Sequence, residues 1–282
     1  MRNYRFDNIK CILIILVVLG HFLELPKDSA SADAVYRVIY LFHMPAFIFI
    51  SGYFAKFNPK KIVKSLIIPY IVMQTIYLAF HSLVILEEET FILQFTKPYW
   101  ILWYLMVMVF YYLLIPFFQT QNVCRQVLSI SAAVIISLLA GYDSSIGYHL
   151  TLSRFFVFLP YFLAGLYVRT DRESITNKWQ KKPIYQLLTL ALSFIGAVCS
   201  VFYILNCKLS SFVLYGSLHY AKLNYGPSVR LLLLFFAVCW IIVLFQLIPN
   251  KKIPLFTSIG KYTFWIFILH GFVIELIEKN MF

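Results

Sequence analysis

Long apolar runs recur along the whole chain and constrain its fold more than any other feature. The sequence is 61% hydrophobic and only 13% charged, whereas soluble domains carry about 25% charged residues. A helix needs about 20 mostly apolar residues to cross the hydrocarbon core of a bilayer. Runs near this length follow one another closely and leave no room for a separate soluble domain. The sequence therefore predicts one integral membrane domain over residues 1–282, an all-α, polytopic transmembrane helical bundle.

Nine membrane-spanning helices are predicted from these runs. They lie near residues 9–25, 36–55, 62–85, 99–118, 127–142, 154–169, 184–205, 229–248 and 256–277. The best place for a tenth span or a re-entrant segment is 206–228, although this stretch carries several polar residues. The sequence alone leaves nine and ten spans open.

Lysine and arginine collect at the N-terminus and in alternate connections between the spans. The basic groups lie at 2–10, 56–64, 125, 169–182 and 251–261. Basic residues concentrate in cytoplasmic loops, so the N-terminus is predicted to be cytoplasmic. The same distribution accounts for the net charge of +12, which therefore does not indicate binding of nucleic acid.

The cysteines and the start of the chain carry no special signal. The five cysteines are scattered singly, which is neither a disulfide framework nor the spacing of metal ligands, so no metal site is predicted. The first apolar run leads to Glu24, Leu25 and Pro26 rather than to a small-residue cleavage site, so we expect it to stay in the membrane. A phosphate-binding loop of the form GxxxxGK[ST] does not occur, which argues against a self-contained ATP-driven pump.

The first predicted span carries ionisable side chains near both of its ends. Asp7 and Lys10 precede an apolar run from Cys11 to Gly20, and His21 follows it. At about 100° and about 1.5 Å per residue, Lys10 and His21 fall within roughly 20° of one helix face and roughly 16 Å apart. Asp7 lies about 40° from His21 on the same side. One helix face therefore presents a carboxylate, an ammonium and an imidazole across most of a bilayer.

Two interpretations of this stripe are open from the residues alone. Ionisable groups inside a membrane are costly, so they usually face a cavity or a partner and mark functional sites. Alternatively, Asp7 and Lys10 are interfacial anchors with a snorkelling lysine, and His21 lies in the opposite headgroup region.

Several other polar residues interrupt apolar segments. His43 lies next to Pro45, which frees a backbone carbonyl one turn earlier, and such a break predicts a cavity wall. Arg154 and Arg230 each stand beside an apolar run on the non-cytoplasmic side. There an arginine either binds an acidic or carbonyl group of a substrate or pins the helix end. His270 is a third histidine within a span, for which packing and catalysis are both open.

A basic cluster opens the third span, where Lys61 and Lys64 stand one turn apart. Such a cluster can bind phosphate groups, but anchoring at the cytoplasmic surface explains most lysines placed in this way. An interfacial belt is the favoured interpretation for the aromatic residues Tyr99, Trp100, Trp103 and Tyr104.

Taken together, these residues resemble the membrane acyltransferase 3 family, the multi-span O-acyltransferases of bacterial cell-surface polysaccharides. Lys10, ten intervening positions and His21 are similar to the opening motif of that family. Later blocks are similar to a branch that includes fucose O-acetylase-like proteins. These blocks are FHMPAFIFISGYF at 42–54, WYL at 103–105, SRFFVFLPYFLAG at 153–165 and SIGKYTFWIFILHGF at 258–272.

The resemblance implies that His21 is the catalytic histidine and that Lys10 is the basic residue of the same motif. Asp7 is too far along the helix to orient His21, so we expect it to pair with Lys10 or another cytoplasmic basic residue. His43 and Arg154 are the other supporting candidates. The imidazole is expected to take the proton of a sugar hydroxyl as this attacks a thioester. A transient acyl-imidazole is the other option.

The donor implied by the resemblance is cytoplasmic acyl-CoA, with acetyl-CoA first and a succinyl donor as a variant. No permanently bound cofactor is expected. Lys10, Lys61 and Lys64 are predicted to bind the donor. Many relatives have two arginines at the last two positions, whereas both are lysine here, and lysine lacks the bidentate fork of arginine.

The acceptor implied by the resemblance is a carbohydrate, either a polysaccharide or a lipid-linked sugar. The other expected partners are membrane lipids, since the expected location is the bacterial cytoplasmic membrane, which the chain crosses several times. A polysaccharide exporter or lipid-linked sugar flippase without acyl chemistry is the competing class of function. The aromatic content of 19% fits stacking on sugars but fits lipid contact as well. The acceptor sugar and the oligomeric state stay open, a homodimer included.

Overall fold

The computed structural model describes residues 3–25, 29–170, 183–207 and 210–281. Within these ranges all regular secondary structure is helical, which confirms the all-α prediction. Some of the charged residues used above to argue orientation lie outside the described ranges. They are Arg2, Arg172, Lys178, Lys181 and Lys182.

The described helices follow one another through the whole chain. They are α1 (Tyr4–Leu23), α2 (Ala30–Phe54), α3 (Pro59–Ile85), α4 (Trp100–Phe118), α5 (Val123–Leu139), α6 (His149–Arg169), α7 (Pro183–Asn206), α8 (Tyr220–Leu223), α9 (Pro227–Leu247), α10 (Pro254–Ile259) and α11 (Thr263–Met281). Among the described residues, seven helices are long and apolar enough to cross a membrane, namely α1–α4, α6, α7 and α9. Each predicted span overlaps a helix, whereas the number of spans stays a prediction.

Two helices begin well before the apolar runs that predicted them. Asn3 accepts a hydrogen bond from the backbone N–H of Arg5 at the start of α1, and Ser29 accepts one from Ala32 at the start of α2. Such caps satisfy backbone donors that the first helical turn leaves unpaired. The apolar pattern therefore marks the embedded part of each helix, and polar caps extend the helix beyond it.

The stretch proposed for a tenth span forms no long helix in its described part. Residues 210–226, which we call the cap, contain a 3₁₀ turn at Ser211–Val213 and the four-residue helix α8. Arg230 of α9 holds the cap, because its Nη2 donates to the carbonyl of Leu218 at 3.4 Å and to the hydroxyl of Tyr225 at 2.5 Å. Arg230 thus anchors a folded connection at one end of the bundle.

Helices α2 and α6 lie at the centre of the bundle and pack backbone against backbone. A Cβ atom on Gly52 would overlap the carbonyl oxygen of Phe162, and one on Gly165 would overlap that of Phe49. Small residues permit this close approach between membrane helices. The contact holds the cavity-lining residues of both helices in a fixed relation.

Polar contacts fix the rotation of α1 at its N-terminal end. The side-chain amide of Asn8 donates to the carbonyls of Pro249 and Lys251 at 3.2 and 3.0 Å. The hydroxyl of Thr257 donates to the Asn8 Oδ1 at 2.9 Å. The stripe that carries Lys10 and His21 consequently faces the interior of the bundle.

The outward faces of the peripheral helices are apolar. Helix α7 exposes several large side chains, namely Leu187, Leu188, Leu192, Phe194 and Ile195. Large exposed apolar surfaces are rare on soluble monomers and suit contact with lipid. The chain is therefore a membrane protein.

Candidate active site

His21 lies in the last turn of α1, where its side chain is largely buried. Its Nδ1 lies 2.9 Å from Oε2 of Glu24, one turn further along the chain. A carboxylate only accepts hydrogen bonds, so Nδ1 carries the hydrogen and Nε2 keeps its lone pair. The hydroxyl of Tyr40 also lies 2.9 Å from Nδ1. The result is a histidine–carboxylate pair with one ring nitrogen left to act as a base.

Glu24 is itself held by two tyrosines. The hydroxyls of Tyr36 and Tyr215 donate to its Oε1 at 2.6 and 2.5 Å. Together with Nδ1 of His21, these hydroxyls give the carboxylate three hydrogen-bond donors, which favour its ionised form. An ionised carboxylate in this place can stabilise the positive charge that forms on the imidazole when Nε2 takes a proton.

His21 and Glu24 line a cavity of about 260 Å³, which we call the His21 cavity. His43 of α2, Arg154 of α6 and Tyr215 of the cap line the same cavity. The structure therefore brings three residues singled out in the sequence, one from each of three helices, around a single space.

Arg154 is buried among aromatic rings at the start of α6. Its guanidinium carbon lies 4.7 Å from the ring centroid of Trp103 and 4.9 Å from that of Tyr148. The Nε of Arg154 donates to the carbonyl of Tyr215 at 3.2 Å. Its Nη1 is buried and has no hydrogen-bond partner among the described residues. Arg154 thus gives the lining of the His21 cavity a positive charge and a spare hydrogen-bond donor, the N–H group at Nη1. A group of this kind stabilises negative charge on a reacting oxygen.

Two further histidines stand close to the pair. His43 is buried and donates from Nδ1 to the carbonyl of Ile39 at 2.8 Å. The ring centroid of His270 lies 5.3 Å from that of His21, and its Nδ1 donates to the carbonyl of Phe267 at 2.7 Å. Both rings therefore keep Nε2 as an acceptor. The cavity wall predicted at His43 is confirmed, and His270 is a neighbour of the candidate base.

A second cavity, which we call the Lys10 cavity, follows along the same face of α1. It encloses about 180 Å³, and Lys10, Ser51 and Tyr104 are among its lining residues. Met44 and Phe267 line both cavities, so these two side chains separate the two spaces. The stripe predicted from sequence spacing is thus the wall of two successive cavities.

The predicted cationic residues fall into two groups. Lys10 Nζ lies 3.0 Å from Asp7 Oδ1, so the pair expected between them is present. Lys61 and Lys64 are exposed at the N-terminal end of α3, and neither lines the Lys10 cavity or the His21 cavity. Their part in donor binding stays a prediction.

Sequence reasoning missed the partners of His21. Glu24 follows His21 by three residues, a spacing that places both side chains on one helix face. This spacing would have predicted Glu24 as a partner of His21. Nothing in the sequence connects Glu24 with Tyr215, which is 191 residues away. An interfacial belt does not account for Trp100 and Trp103, because both line the His21 cavity.

Candidate ligand sites in the described chain are these cavities rather than a metal centre. No three histidine, cysteine, aspartate or glutamate side chains within the described ranges are grouped to hold a metal ion. The polar groups of the His21 and Lys10 cavities are among those that can meet a substrate.

A comparison with protein families decides the class of protein. The model of the acyltransferase 3 family, described as an acyltransferase domain, matches residues 3–282. The chain belongs to the acyltransferase 3 family. This membership confirms the resemblance found in the motifs.

Two relatives of this family member are similar over a short segment. Nodulation protein NolL of Sinorhizobium fredii is 50% identical over 58 residues, which cover 19% of this chain and 16% of the relative. Nodulation protein NolL of Mesorhizobium japonicum is 43% identical over 56 residues, 18% of this chain and 15% of the relative. The matches thus span about a sixth of the length of these relatives. No solved structure matches this acyltransferase 3 family chain.

Proposed function

We propose that this acyltransferase moves an acetyl or other short acyl group from cytoplasmic acyl-CoA to a carbohydrate hydroxyl. The acceptor is a cell-surface polysaccharide or its lipid-linked sugar precursor. The observation that carries the proposal is the His21–Glu24 pair, which lines one cavity together with the spare donor of Arg154. Family membership supplies acyl transfer, and the cavity supplies a base and a cation in one place.

His21 is the proposed general base. Its Nε2 takes the proton of the acceptor hydroxyl while the hydroxyl oxygen attacks the thioester carbonyl carbon. Glu24, bonded to Nδ1, stabilises the imidazolium that forms. When the carbon–sulfur bond breaks, the imidazolium returns the proton to the leaving thiolate. The products are a sugar ester and the free CoA thiol, and His21 is neutral again.

Arg154 is the proposed stabiliser of the tetrahedral intermediate. Negative charge develops on the carbonyl oxygen as the acceptor attacks, and a preplaced donor in a water-poor cavity stabilises this charge strongly. The buried Nη1 of Arg154 has no other hydrogen bond to give up among the described residues. The aromatic rings of Trp103 and Tyr148 hold the guanidinium in place.

The same residues serve a covalent route. In that route Nε2 of His21 attacks the thioester carbon, the carbon–sulfur bond breaks, and CoA leaves as the thiol with the proton of the imidazole ring. The acceptor hydroxyl then attacks the acyl carbon, the carbon–nitrogen bond breaks, and the hydroxyl proton returns to the ring. Protein denatured rapidly at neutral pH after mixing with radiolabelled acetyl-CoA carries label that His21→Ala lacks only if this intermediate forms. This measurement therefore separates the two routes without affecting the assignment of His21.

We place the donor along α1. The Lys10 and His21 cavities cover the roughly 16 Å of helix between these two residues. The pantetheine arm of acyl-CoA is expected to occupy both cavities once Met44 and Phe267 move aside, and a methionine side chain adapts easily. The donor phosphates then lie near Lys10, with Lys61 and Lys64 as further cations.

This path requires the Lys10 end of the bundle to face the cytoplasm of a bacterial cell. Lys251 contacts Asn8 through its carbonyl, and Gly260, next to Lys261, lies against the backbone of Asp7. The basic connection after α9 is therefore at the same end as Lys10. Such a concentration of basic residues favours the cytoplasmic side of the bacterial membrane.

Mass spectrometry of the host's surface polysaccharide tests the proposal. Cells carry wild type, no copy of the gene, His21→Ala, or His149→Ala as a matched control, since His149 is exposed and lines neither cavity. We expect an acyl-sized mass, most simply acetyl, in wild type and His149→Ala. That mass is expected to disappear in the deletion and in His21→Ala while polymer still reaches the surface. Unchanged acylation together with loss of surface polymer would overturn the proposal in favour of export.

A further inference from the structure

A third cavity, which we call the outer pocket, adjoins the His21 cavity. It encloses about 570 Å³ between α3, the start of α4 and the end of α11. Trp100 lines both spaces, and its ring centroid lies 4.6 Å from that of His21. The polar and aromatic residues of the outer pocket are His81, Tyr99, Trp100, Glu275, Glu278 and Lys279. One indole therefore separates this pocket from the candidate base.

Glu275 is a buried carboxylate with two polar neighbours among the described residues, His81 and Tyr99. Its side chain is 8% exposed, and neither of its oxygens has a well-aligned hydrogen bond within the described chain. His81 Nδ1 lies 3.5 Å from Oε2 but is also without a hydrogen bond, and Tyr99 is the other polar neighbour. Burying such groups without hydrogen bonds is costly. The pocket is therefore suited to an occupant that donates hydrogen bonds.

The charge of the outer pocket selects against anions. The Nζ of Lys279 donates to Glu87 Oε1 at 2.5 Å and to the carbonyl of Val84 at 2.6 Å, so its charge is compensated outside the pocket. Glu275 and Glu278 leave the lining with an excess of negative charge. A ligand with a carboxylate or a phosphate is repelled by this field, whereas a neutral ligand is not.

The aromatic wall points to the shape of the ligand. Trp100 has a φ of 29°, a backbone conformation that residues other than glycine rarely adopt. In this conformation the ring of Trp100 lies between the outer pocket and the His21 cavity. Tyr99 adds a second ring on the pocket side. Aromatic faces cover apolar faces of a ligand, and nearby carboxylates bind its hydroxyls with strong charge-assisted hydrogen bonds.

We infer that the outer pocket binds a sugar ring of the acceptor, and that this ring carries neither a carboxylate nor a phosphate. The inference rests on the proposed function, which makes the acceptor a carbohydrate. Glu275 accepts hydrogen bonds from ring hydroxyls, and Tyr99 and Trp100 pack against the ring. Trp100 thereby places the acceptor beside His21, and the pocket determines which sugars are acylated.

Glycoside binding to the detergent-purified full chain tests the inference without any acyl transfer. The probes are the methyl glycosides of glucose and galactose, each paired with the methyl glycoside of the matching uronic acid. Tryptophan fluorescence reports binding, and Trp100→Phe assigns the signal to the pocket. We expect wild type to bind a neutral glycoside about tenfold or more tightly than its uronic acid partner.

Two variants locate this selectivity. Glu275→Gln keeps the size of the side chain and removes its charge, so we expect about tenfold weaker binding of the neutral glycoside and a smaller preference over the uronic acid. Glu278→Gln changes an exposed position, so it reports on the charge effect even if Glu275→Gln does not fold. Glu88→Gln, which removes an exposed carboxylate outside the pocket, is the matched control and is expected to bind as wild type does.

Three results would overturn the inference. They are absence of neutral glycoside binding by wild type, equal affinity for both members of a pair, and unchanged binding and selectivity in both pocket variants. Failure of the proposed function is a separate result, because it appears as unchanged polysaccharide acylation in His21→Ala.

Discussion

The Nδ1 of His21 is approached from two directions, by the carboxylate of Glu24 and by the hydroxyl of Tyr40, each at 2.9 Å. Either group can orient the ring, but only the carboxylate carries the charge that stabilises an imidazolium ion. The hydrogen bonds that Glu24 accepts from His21 and two tyrosines favour its ionised form and keep this charge in place. Glu24 is therefore expected to affect rate more than substrate affinity.

Glu24→Gln tests this assignment. The amide retains the size of the side chain but has no charge, so we expect acyl transfer to fall about 10²-fold with little change in KM for acyl-CoA. Initial rates in host membrane vesicles measure the effect. Glu88→Gln, an exposed carboxylate at another position, is expected to keep the wild-type rate. A rate for Glu24→Gln close to that of wild type would contradict the role of the carboxylate.

Arg154→Lys tests the spare donor of the His21 cavity. Lysine keeps the charge but loses the planar fork and its stacking, so we expect about a 10²-fold loss of rate. Arg230→Lys is the matched control, since Arg230 is also buried and also holds the cap, yet does not line the His21 cavity. We expect Arg230→Lys to lower Tm while the rate per folded molecule stays near that of wild type. Equal losses of rate in both variants would mean that Arg154 acts only through the cap.

At the scale of helices, the apolar pattern predicted the positions of the helices better than the residues at which they begin and end. Each predicted span overlaps a helix, because burial in lipid or protein requires long apolar segments that satisfy their own backbone hydrogen bonds. Helices α1 and α2 begin earlier than predicted because the side chains of Asn3 and Ser29 accept hydrogen bonds from the first helical turn. A hydropathy pattern does not reveal these side-chain contacts. The cap at 210–226 was not predicted, since its place depends on distant contacts with Glu24 and Arg230.

The contact between α2 and α6 yields a prediction for stability. Gly165→Ala places a Cβ against the carbonyl oxygen of Phe49, and backbone atoms cannot move aside as a side chain can. We expect a loss of about 1–3 kcal/mol in unfolding free energy, seen as a lower Tm in detergent. Gly147→Ala is the control, because a Cβ there meets no atom within 4 Å. Equal Tm values for the two variants would rule out the close packing of these helices.

At the scale of the whole molecule, three spaces follow one another from the Lys10 cavity through the His21 cavity to the outer pocket. Met44 and Phe267 separate the first two, and Trp100 separates the last two. The spacing of Lys10 and His21 predicted the polar face, but not the cavities. A cavity is the space that several helices leave between them, and its walls come from residues far apart in the sequence.

Filling the Lys10 cavity tests the donor path. Ile14→Phe enlarges a buried side chain that lines this cavity, so we expect KM for acyl-CoA to rise about tenfold while glycoside binding in the outer pocket is unchanged. Ile15→Phe makes the same change at a position of α1 that is 48% exposed and should behave as wild type. An unchanged KM in Ile14→Phe would exclude this path for the donor.

The most direct test of the account is label transfer from radiolabelled acetyl-CoA to glycan in inside-out membrane vesicles of the host. These vesicles present the cytoplasmic face to the added donor and retain the native acceptor. We predict that His21→Gln lowers the rate about 10³-fold or more, with Tm and glycoside binding at their wild-type values. A His21→Gln rate within about tenfold of wild type would contradict the central claim that His21 and Glu24 form the catalytic centre.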